Sequence, residues 1–260
     1  MDILTKIIAD KRREVALKKQ VVPVHQLENT ALFGRRGASL CTALKESTTG
    51  IIAEHKRRSP SKATINQDTN VAQVAKGYQT AGACGMSVLT DLKYFGGSLE
   101  DLLLARAVVD IPLLRKEFII DTYQVLEAKS HGADVILLIA AVLTREEIKT
   151  LSEFAKSLGL EVLLEVHDLE ELRKSVMPSL DLLGVNNRNL KTFQVDLETS
   201  KALADEIPSD FVKVSESGIG TTAAIAELKT YGYQGFLIGE NFMKTRDPGA
   251  SAQNFIQHMV

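Results

Sequence analysis

The sequence has little cysteine and no long hydrophobic run. Cys41 and Cys84 are its two cysteines, so it lacks both a disulfide framework and the spacing of a cysteine metal site. No apolar run approaches the ~20 residues that a helix needs to cross a bilayer. Residues 1–6 alternate charged and apolar side chains, unlike a signal peptide. We therefore expect a cytoplasmic protein in which Cys84, within an apolar stretch, is an inert core thiol.

The sequence also lacks a strong charge of one sign. Its 31 Lys and Arg against 33 Asp and Glu give a formal net charge of -2, with no long run of like charges. Nucleic-acid and membrane partners need a concentrated basic field, so neither is expected. The densest basic cluster, residues 56–58 with Lys62, is too short to follow a polymer but could hold one small anion.

The patterning of the chain changes at about residue 49. Residues 1–48 are predicted to form a helical extension, in which Asp2 caps a first helix and shorter helices follow Pro23 and span residues 40–44. The apolar residues of the first helix are Ile3, Leu4, Ile7, Ile8, Val15 and Leu17. In residues 49–260, apolar runs alternate with amphipathic helices, one of which, at 144–158, opens with a Thr-x-x-Glu capping box. The predicted strands are 50–55, 86–90, 112–116, 135–139, 161–165, 182–186, 212–215 and 235–239.

Strands that alternate with helices predict a parallel sheet, because a short hairpin cannot return a parallel strand. Eight such units without a break in composition favour an α/β fold, a closed (β/α)8 TIM barrel that forms a single domain with its helical extension. No G-x-G-x-x-G follows the first strand, which disfavours dinucleotide binding. An open doubly wound sheet of fewer strands is the alternative that the pattern leaves open.

Polar side chains follow five of the predicted strands, where a barrel of this kind has its active site. The segments are Glu54 to Lys56, Lys116 to Phe118, Glu165 to His167, Asn186 to Arg188 and Glu216 to Gly218. Residues two apart on a strand share a face, so Glu54 and Lys56 are predicted to point inward together. One charged strand end is usually an exposed rim residue. Five at equivalent positions predict a cluster that is costly to bury without a charged ligand or internal pairing.

The histidines are predicted to contribute less than these charged residues. His55 and His167 are assigned to the opposite parity and interpreted as packing or supporting groups. His25, His131 and His258 have no supporting context.

Glycines follow the last two predicted strands. They lie in Ser217-Gly218-Ile219-Gly220 and in Gly239-Glu240-Asn241. Each glycine alone is compatible with a tight turn, but glycines after both strands favour a phosphate site, because they let backbone N–H groups approach an anion. The carboxylate of Glu240 is expected to point away from that anion.

A basic loop follows the first strand. Residues 57–62 read Arg-Arg-Ser-Pro-Ser-Lys. A mobile lid over an anionic substrate and an ordinary surface loop explain this composition equally well.

At these residues the sequence resembles the indole-3-glycerol phosphate synthase family, over essentially the whole chain. The most specific stretches are residues 52–61, 89–91 with 94–98, 115–118, 164–167, 184–190 and 215–219. The resemblance implies a carboxy-lyase of tryptophan biosynthesis. Such an enzyme converts 1-(2-carboxyphenylamino)-1-deoxyribulose 5-phosphate to indole-3-glycerol phosphate, carbon dioxide and water, and needs neither a metal nor an organic cofactor.

The resemblance also implies roles for individual residues. Lys116 corresponds to the general acid of ring closure, Lys56 to a second lysine near the substrate carboxylate, and Glu54 and Glu165 to acid/base carboxylates. The residues implied to orient the substrate or line its aryl pocket are Asn186, Arg188, Ser59 and Phe118, and the hydrophobic residues Leu89 and Leu137 could complete that pocket. Ser217, Gly218 and Gly239 match the phosphate site, in which Glu240 replaces a serine found in some relatives.

Two other functions are compatible with the same residues. A Schiff-base aldolase also places a lysine at a strand end and binds sugar phosphates. A non-catalytic sensor of a phosphorylated ligand, built on a decayed barrel, would be expected to have lost a charged member of the site. We expect a monomer that binds a small phosphorylated molecule, with weak self-association left open.

Overall fold

The computed structural model describes residues 2–190 and 192–259. It contains a closed parallel barrel in which each strand pairs with the next in sequence and β8 pairs with β1. The strands are β1 Ile51–His55, β2 Gly85–Leu89, β3 Leu113–Lys116, β4 Val135–Ile139, β5 Glu161–Val166, β6 Leu182–Asn186, β7 Val212–Glu216 and β8 Gly235–Ile238. The predicted (β/α)8 architecture is confirmed, and every strand boundary lies within one residue of its predicted position.

Helices precede the barrel and follow its strands. They are α1 Ile3–Val21, α2 Val24–Glu28, α3 Leu40–Glu46, α4 Val71–Thr80, α5 Leu92–Phe95, α6 Leu99–Arg106, α7 Thr122–Ser130, α8 Arg145–Ser157, α9 Leu169–Ser175, α10 Glu198–Leu203, α11 Thr222–Thr230, α12 Glu240–Met243 and α13 Pro248–Gln257. Short 3-10 turns cover Ala140–Val142 and Ala204–Glu206. The predicted capping box of α8 is present, with Thr144 and Glu147 each accepting the other's backbone N–H.

The strands alternate their side chains between two apolar layers. Ala53, Val88 and Leu138 face the surrounding helices, whereas Ile52 and Leu163 fill the barrel interior. Helix α3 closes the bottom of that interior with Leu40 and Leu44, which belong to the same buried cluster. With its lower part filled by hydrocarbon, the barrel has room for polar inward side chains at the carboxyl ends of the strands.

Helix α1 docks on the barrel through a buried charge. The Lys11 ammonium lies 3.0 Å from Asp91 Oδ2 and 3.1 Å from Glu117 Oε1, and its side chain is 2% exposed. Removing one partner from a buried ion pair typically costs about 3–5 kcal/mol, so this contact fixes the helix firmly. Leu17, another apolar residue of this helix, is 63% exposed, because it lies two residues, or about 200°, around the helix from buried Val15.

None of the helices in the described ranges is long and apolar enough to span a membrane.

Candidate active site

A cavity of about 370 Å³ opens at the carboxyl ends of the strands. Every residue predicted for the site lines it: Glu54, Lys56, Ser59, Leu89, Lys116, Phe118, Leu137, Glu165, Asn186, Arg188, Ser217, Gly218, Gly239 and Glu240. The cavity is of the size that holds a small metabolite.

Lys116 ends β3 with its side chain inside the barrel. Its neighbour Arg115 faces outward and is held by Gln124 O at 2.6 Å and Glu127 Oε2 at 3.1 Å. Glu117 also faces outward, where it accepts a hydrogen bond from Thr90 Oγ1 at 2.9 Å. Because both neighbours are anchored behind the strand, the backbone that carries Lys116 is fixed.

The Lys116 ammonium bridges two carboxylates. It donates to Glu165 Oε2 on β5 at 3.2 Å and contacts Glu216 Oε2 on β7. Burial alone would lower the pKa of Lys116, but Glu216, Glu165 and Glu54 outweigh it and raise the pKa. Lys116 is therefore a charged proton donor in the free protein.

The two carboxylates on Lys116 respond differently to their surroundings. Burial, assisted by the negative charges of Glu165 and Glu54, raises the pKa of Glu216 to about 7, although Lys116 opposes the change. Burial also raises the pKa of Glu165, but Lys116, His167 and a hydrogen bond from Asn186 outweigh it, so the net pKa is lowered. Glu165 is ionised at neutral pH, whereas Glu216 is poised to exchange a proton.

A second ion pair lies on β1 and just beyond it. Lys56 Nζ is 2.6 Å from Glu54 Oε1, as their spacing of two residues on one strand predicts. The other oxygen of Glu54 lies 3.5 Å from Ser87 Oγ on β2. Lys56 and Lys116 thus lie in the cavity among three inward carboxylates, those of Glu54, Glu165 and Glu216.

Asn186 and Arg188 follow the inner face of β6. Asn186 donates from Nδ2 to Glu165 Oε1 at 3.1 Å, and its Oδ1 accepts the backbone N–H of Arg188 at 3.0 Å. Arg188 donates in turn to the carbonyl of Phe193 at 3.3 Å. This chain orients the Glu165 carboxylate and places a guanidinium at the cavity edge.

One wall of the cavity is apolar. Phe118 stacks at a tilt on Phe95, with 6.0 Å between ring centroids, and Leu89 and Leu137 also line the cavity. The first turns of α1 add a second apolar surface, made by Ile3, Leu4 and Ile7. Such a wall suits the face of a planar aromatic ring.

The backbone turns that follow β7 and β8 form one end of the cavity. Ser217 and Gly218 have φ of 67° and 78°, a left-handed conformation that is uncommon for serine. A Cβ on Gly239 would lie 2.5 Å from Glu54 Oε1, so any larger residue there would displace the Glu54 carboxylate. The Glu240 carboxylate faces the Lys62 ammonium of the loop. Burial would raise the pKa of Glu240, but the positive charges of Lys62, Lys56 and Arg188 outweigh it and lower the pKa.

The basic loop forms a roof for the cavity. Ser59, Pro60 and Ser61 line it, and a tight turn joins Ser59 to Lys62 by two backbone hydrogen bonds of 2.8 and 3.0 Å. Arg57 anchors the start of the loop to Asp101, with Nη2 2.8 Å from Oδ1. The loop therefore spans from the β2 side of the rim to Glu240 beyond β8.

The two strand-end histidines occupy different faces. His55 points outward and is buried among helices, as predicted for a packing group; burial and the charge of Arg57 lower its pKa to about 4. The parity assigned to His167 was wrong. It lies two residues after Glu165 and shares its face, with Nε2 3.5 Å from Glu165 Oε1.

Sequence reasoning omitted some residues that the structure brings to the cavity. Glu216 was recognised as a strand end but was not assigned to the site, although its position two residues after Val214 puts it on the inner face. Ile3, Leu4 and Ile7 carried no local signal, because only the docking of α1 brings them to the cavity.

Comparisons with known proteins agree on one family. The model of the family "Indole-3-glycerol phosphate synthase" matches residues 4–255. The indole-3-glycerol phosphate synthase of Bacteroides thetaiotaomicron is 50% identical over 256 residues, 98% of each chain. That of Koribacter versatilis is 44% identical over 257 residues, which cover 97% of this chain and 98% of the relative.

Solved structures of lower sequence identity share the fold. A chain of the tryptophan synthase a2b2 complex from Pyrococcus furiosus matches with a TM-score of 0.60 at 13% identity, over 81% of this chain and 97% of that one. Tryptophan synthase subunit alpha from Legionella pneumophila matches with a TM-score of 0.58 at 14% identity, over 85% and 96%. These matches support the barrel alone, whereas the family model and the relatives establish membership: the chain belongs to the indole-3-glycerol phosphate synthase family.

Proposed function

We propose that the protein converts 1-(2-carboxyphenylamino)-1-deoxyribulose 5-phosphate to indole-3-glycerol phosphate, with release of carbon dioxide and water. One observation carries the proposal beyond family membership. A single cavity combines two lysine–carboxylate pairs, an apolar wall and the glycine turns after β7 and β8. This combination suits a substrate that carries an aryl ring, a reactive carbonyl and a phosphate.

Lys116 is the proposed general acid of ring closure. As a ring carbon attacks the ribulose carbonyl, the carbonyl oxygen gains charge and needs a proton. Lys116 is protonated and is held by carboxylates on both sides. Proton transfer to the substrate leaves a neutral amine, which Glu216, with its pKa of about 7, can reprotonate.

Glu165 is the proposed carboxylate that faces the positive charge developing at the ring nitrogen. Its lowered pKa keeps it ionised for that purpose, and Asn186 fixes its orientation. Loss of carbon dioxide then restores the aryl ring, and loss of water completes the indole. Lys56 and Glu54 would assist departure of the hydroxyl group as a neighbouring acid and base, 2.6 Å apart.

Binding of the two ends of the substrate would hold the reacting atoms together. Phe118, Leu89 and Leu137 would pack on the aryl ring, and Ser59 and Arg188 would orient its polar groups. The backbone around Ser217, Gly218 and Gly239 would take the phosphate, with the N–H of Glu240 at the start of α12.

A Schiff-base aldolase is disfavoured by the charges around Lys116. An amine must be neutral to attack a carbonyl, and such enzymes lower the lysine pKa. Here the carboxylates raise it. Borohydride with a sugar phosphate would trap a covalent adduct on Lys116 or Lys56 in an aldolase, and we expect none.

The proposal is tested by incubating the purified protein with the carboxyphenylamino-deoxyribulose phosphate and following indole fluorescence. The chain contains no Trp, so the product signal rises over little intrinsic background. Product formation is expected. Binding of the substrate by folded protein without any turnover would overturn the assignment and favour the sensor hypothesis.

A further inference from the structure

His167 lies between two carboxylates, one of which, Glu165, lines the active-site cavity. Its Nε2 is 3.5 Å from Glu165 Oε1, and its Nδ1 is 3.2 Å from Glu171 Oε2 in the first turn of α9. Glu171 Oε2 also accepts the backbone N–H of His167 at 2.8 Å, which fixes the ring relative to α9. The ring is thus held on one side and directed at Glu165 on the other.

Carboxylates outnumber lysines in the group of inward side chains that contact one another. Lys56 and Lys116 supply two positive charges to the three carboxylates Glu54, Glu165 and Glu216. His167 is the next basic group in contact with this set, and its Nε2 is buried without a hydrogen-bond acceptor of good geometry in the described residues. A protonated ring would place a positive charge beside Glu165.

A second cavity, of about 600 Å³, lies on the other side of His167, between the start of α1 and α9. The charged side chains that line it are Asp2 and Arg12 from α1 and its cap, and Asp168 and Glu171 from α9 and its cap. With Glu165 on β5 and Glu216 on β7, acidic groups outnumber Arg12 around the ring. Burial lowers the pKa of His167, but Glu171, Glu165 and Glu216 outweigh it and raise the pKa.

We propose that His167 is a positioning residue that, as an imidazolium, keeps Glu165 ionised and directs its Oε1 to Asn186. The inference rests on the proposed role of Glu165 in the synthase reaction. Glu171 holds the ring in place and stabilises its charge. Without the imidazolium, Glu165 loses one of the two cations that lower its pKa and binds a proton at higher pH.

Nuclear magnetic resonance of histidine-labelled protein tests the pair without any turnover. The ring signals of His167 are assigned by their loss in His167→Gln and then titrated. We expect a pKa above the ordinary 6.5, which falls in Glu171→Gln and also in Glu165→Gln, because each removes a neighbouring negative charge. A His167 pKa at or below the ordinary value, or one unaffected by Glu165→Gln, would overturn the proposal.

Turnover as a function of pH tests the consequence for Glu165. In His167→Gln the acidic limb of kcat should move upward by about one pH unit, with little change in KM at neutral pH. His167→Lys, which restores a positive charge beside the second cavity, should return the limb toward its wild-type position. A role in packing alone would instead lower kcat equally at every pH and would not be rescued by lysine.

His25→Gln, on the exposed face of α2, is the matched control and should leave the profile unchanged. If wild-type protein failed to turn over the substrate, the proposed function would fail, while the titration of His167 would still decide the coupling. If His167→Gln failed to fold, Glu171→Gln would still test whether the ring depends on its acidic neighbour.

Discussion

Lys116 on β3 reaches Glu165 on β5 across the open end of the barrel, with Nζ 3.2 Å from Oε2. Strand β4 lies between these strands in the sheet, so the contact passes through the interior rather than along the wall. The proposed acid and the proposed charge-stabilising carboxylate are therefore connected before any substrate enters.

Substitution of Lys116 by alanine should remove the proton donor while preserving the fold. General acids typically contribute 10²–10⁴-fold to rate, so kcat should fall by about 10³-fold or more. Indole fluorescence measures the loss, and thermal unfolding checks the fold. Lys156→Ala, which removes an exposed lysine paired with Asp181, should keep the wild-type rate. Near-normal turnover by Lys116→Ala would contradict the proposed role.

Substitution of Glu216 by glutamine should lower kcat more than it changes KM. The variant keeps the shape of the side chain but cannot return a proton to Lys116, and a loss of about 10²-fold is expected from acid/base catalysis. Steady-state kinetics at neutral pH make the comparison. Glu206→Gln, an exposed glutamate that pairs with Arg173, is the control and should have no effect. Equal rates for wild type and Glu216→Gln would show that Lys116 recovers its proton from a group other than Glu216.

Substitution of Gly218 by alanine should weaken phosphate binding. Its φ of 78° is strained for any side chain, and an added Cβ would collide with Val195 Cγ1. Displacing one charge-assisted hydrogen bond should raise KM about tenfold. Inhibition by inorganic phosphate should weaken in parallel.

Gly34→Ala, in an exposed turn away from the cavity, serves as the control, because a Cβ there meets nothing within 4 Å. It should keep the wild-type KM. If both variants bound substrate and phosphate normally, the phosphate site would have to lie elsewhere in the cavity.

His55 should make the fold sensitive to acid. Burial and Arg57 lower its folded-state pKa to about 4, whereas in the unfolded chain it titrates near its ordinary value of 6.5. The unfolded state binds more protons in this window, so the free energy of unfolding falls as pH decreases from 6.5 to about 4, by an amount on the order of 2–3 kcal/mol.

Denaturant unfolding at several pH values measures this contribution. His55→Phe has no titrating group and should lose less stability across the window than wild type. The same substitution at exposed His25 should leave the pH dependence unaltered. A His55→Phe curve parallel to that of wild type would contradict the assigned protonation state.

The sequence allowed the barrel to be predicted because its signals are local. Alternating apolar runs and caps such as Thr144 lie within single elements. From these signals the strand boundaries could be predicted to within one residue. The inward pair of Glu54 and Lys56 followed from strand alternation alone. The same rule, applied consistently, would have put His167 on the face of Glu165 and Glu216 on the inner face of β7.

Other parts of the site depend on tertiary packing. Nothing local indicates that Ile3 and Ile7 would line the cavity, because the ion cluster of Lys11 decides where α1 docks. The raised pKa of Lys116 likewise depends on carboxylates brought from other strands. Residue types predicted the chemistry of the site, but not its charge balance.

The apolar wall formed by α1 offers a route to altered substrate range. Ile3, Leu4 and Ile7 line the cavity from a helix outside the barrel, whereas Leu137 belongs to β4 and packs within the barrel interior. Shortening a side chain of α1 would enlarge the space beside a ring substituent without cutting into the strands. Engineering for bulkier aryl groups should therefore begin in the first turns of the chain.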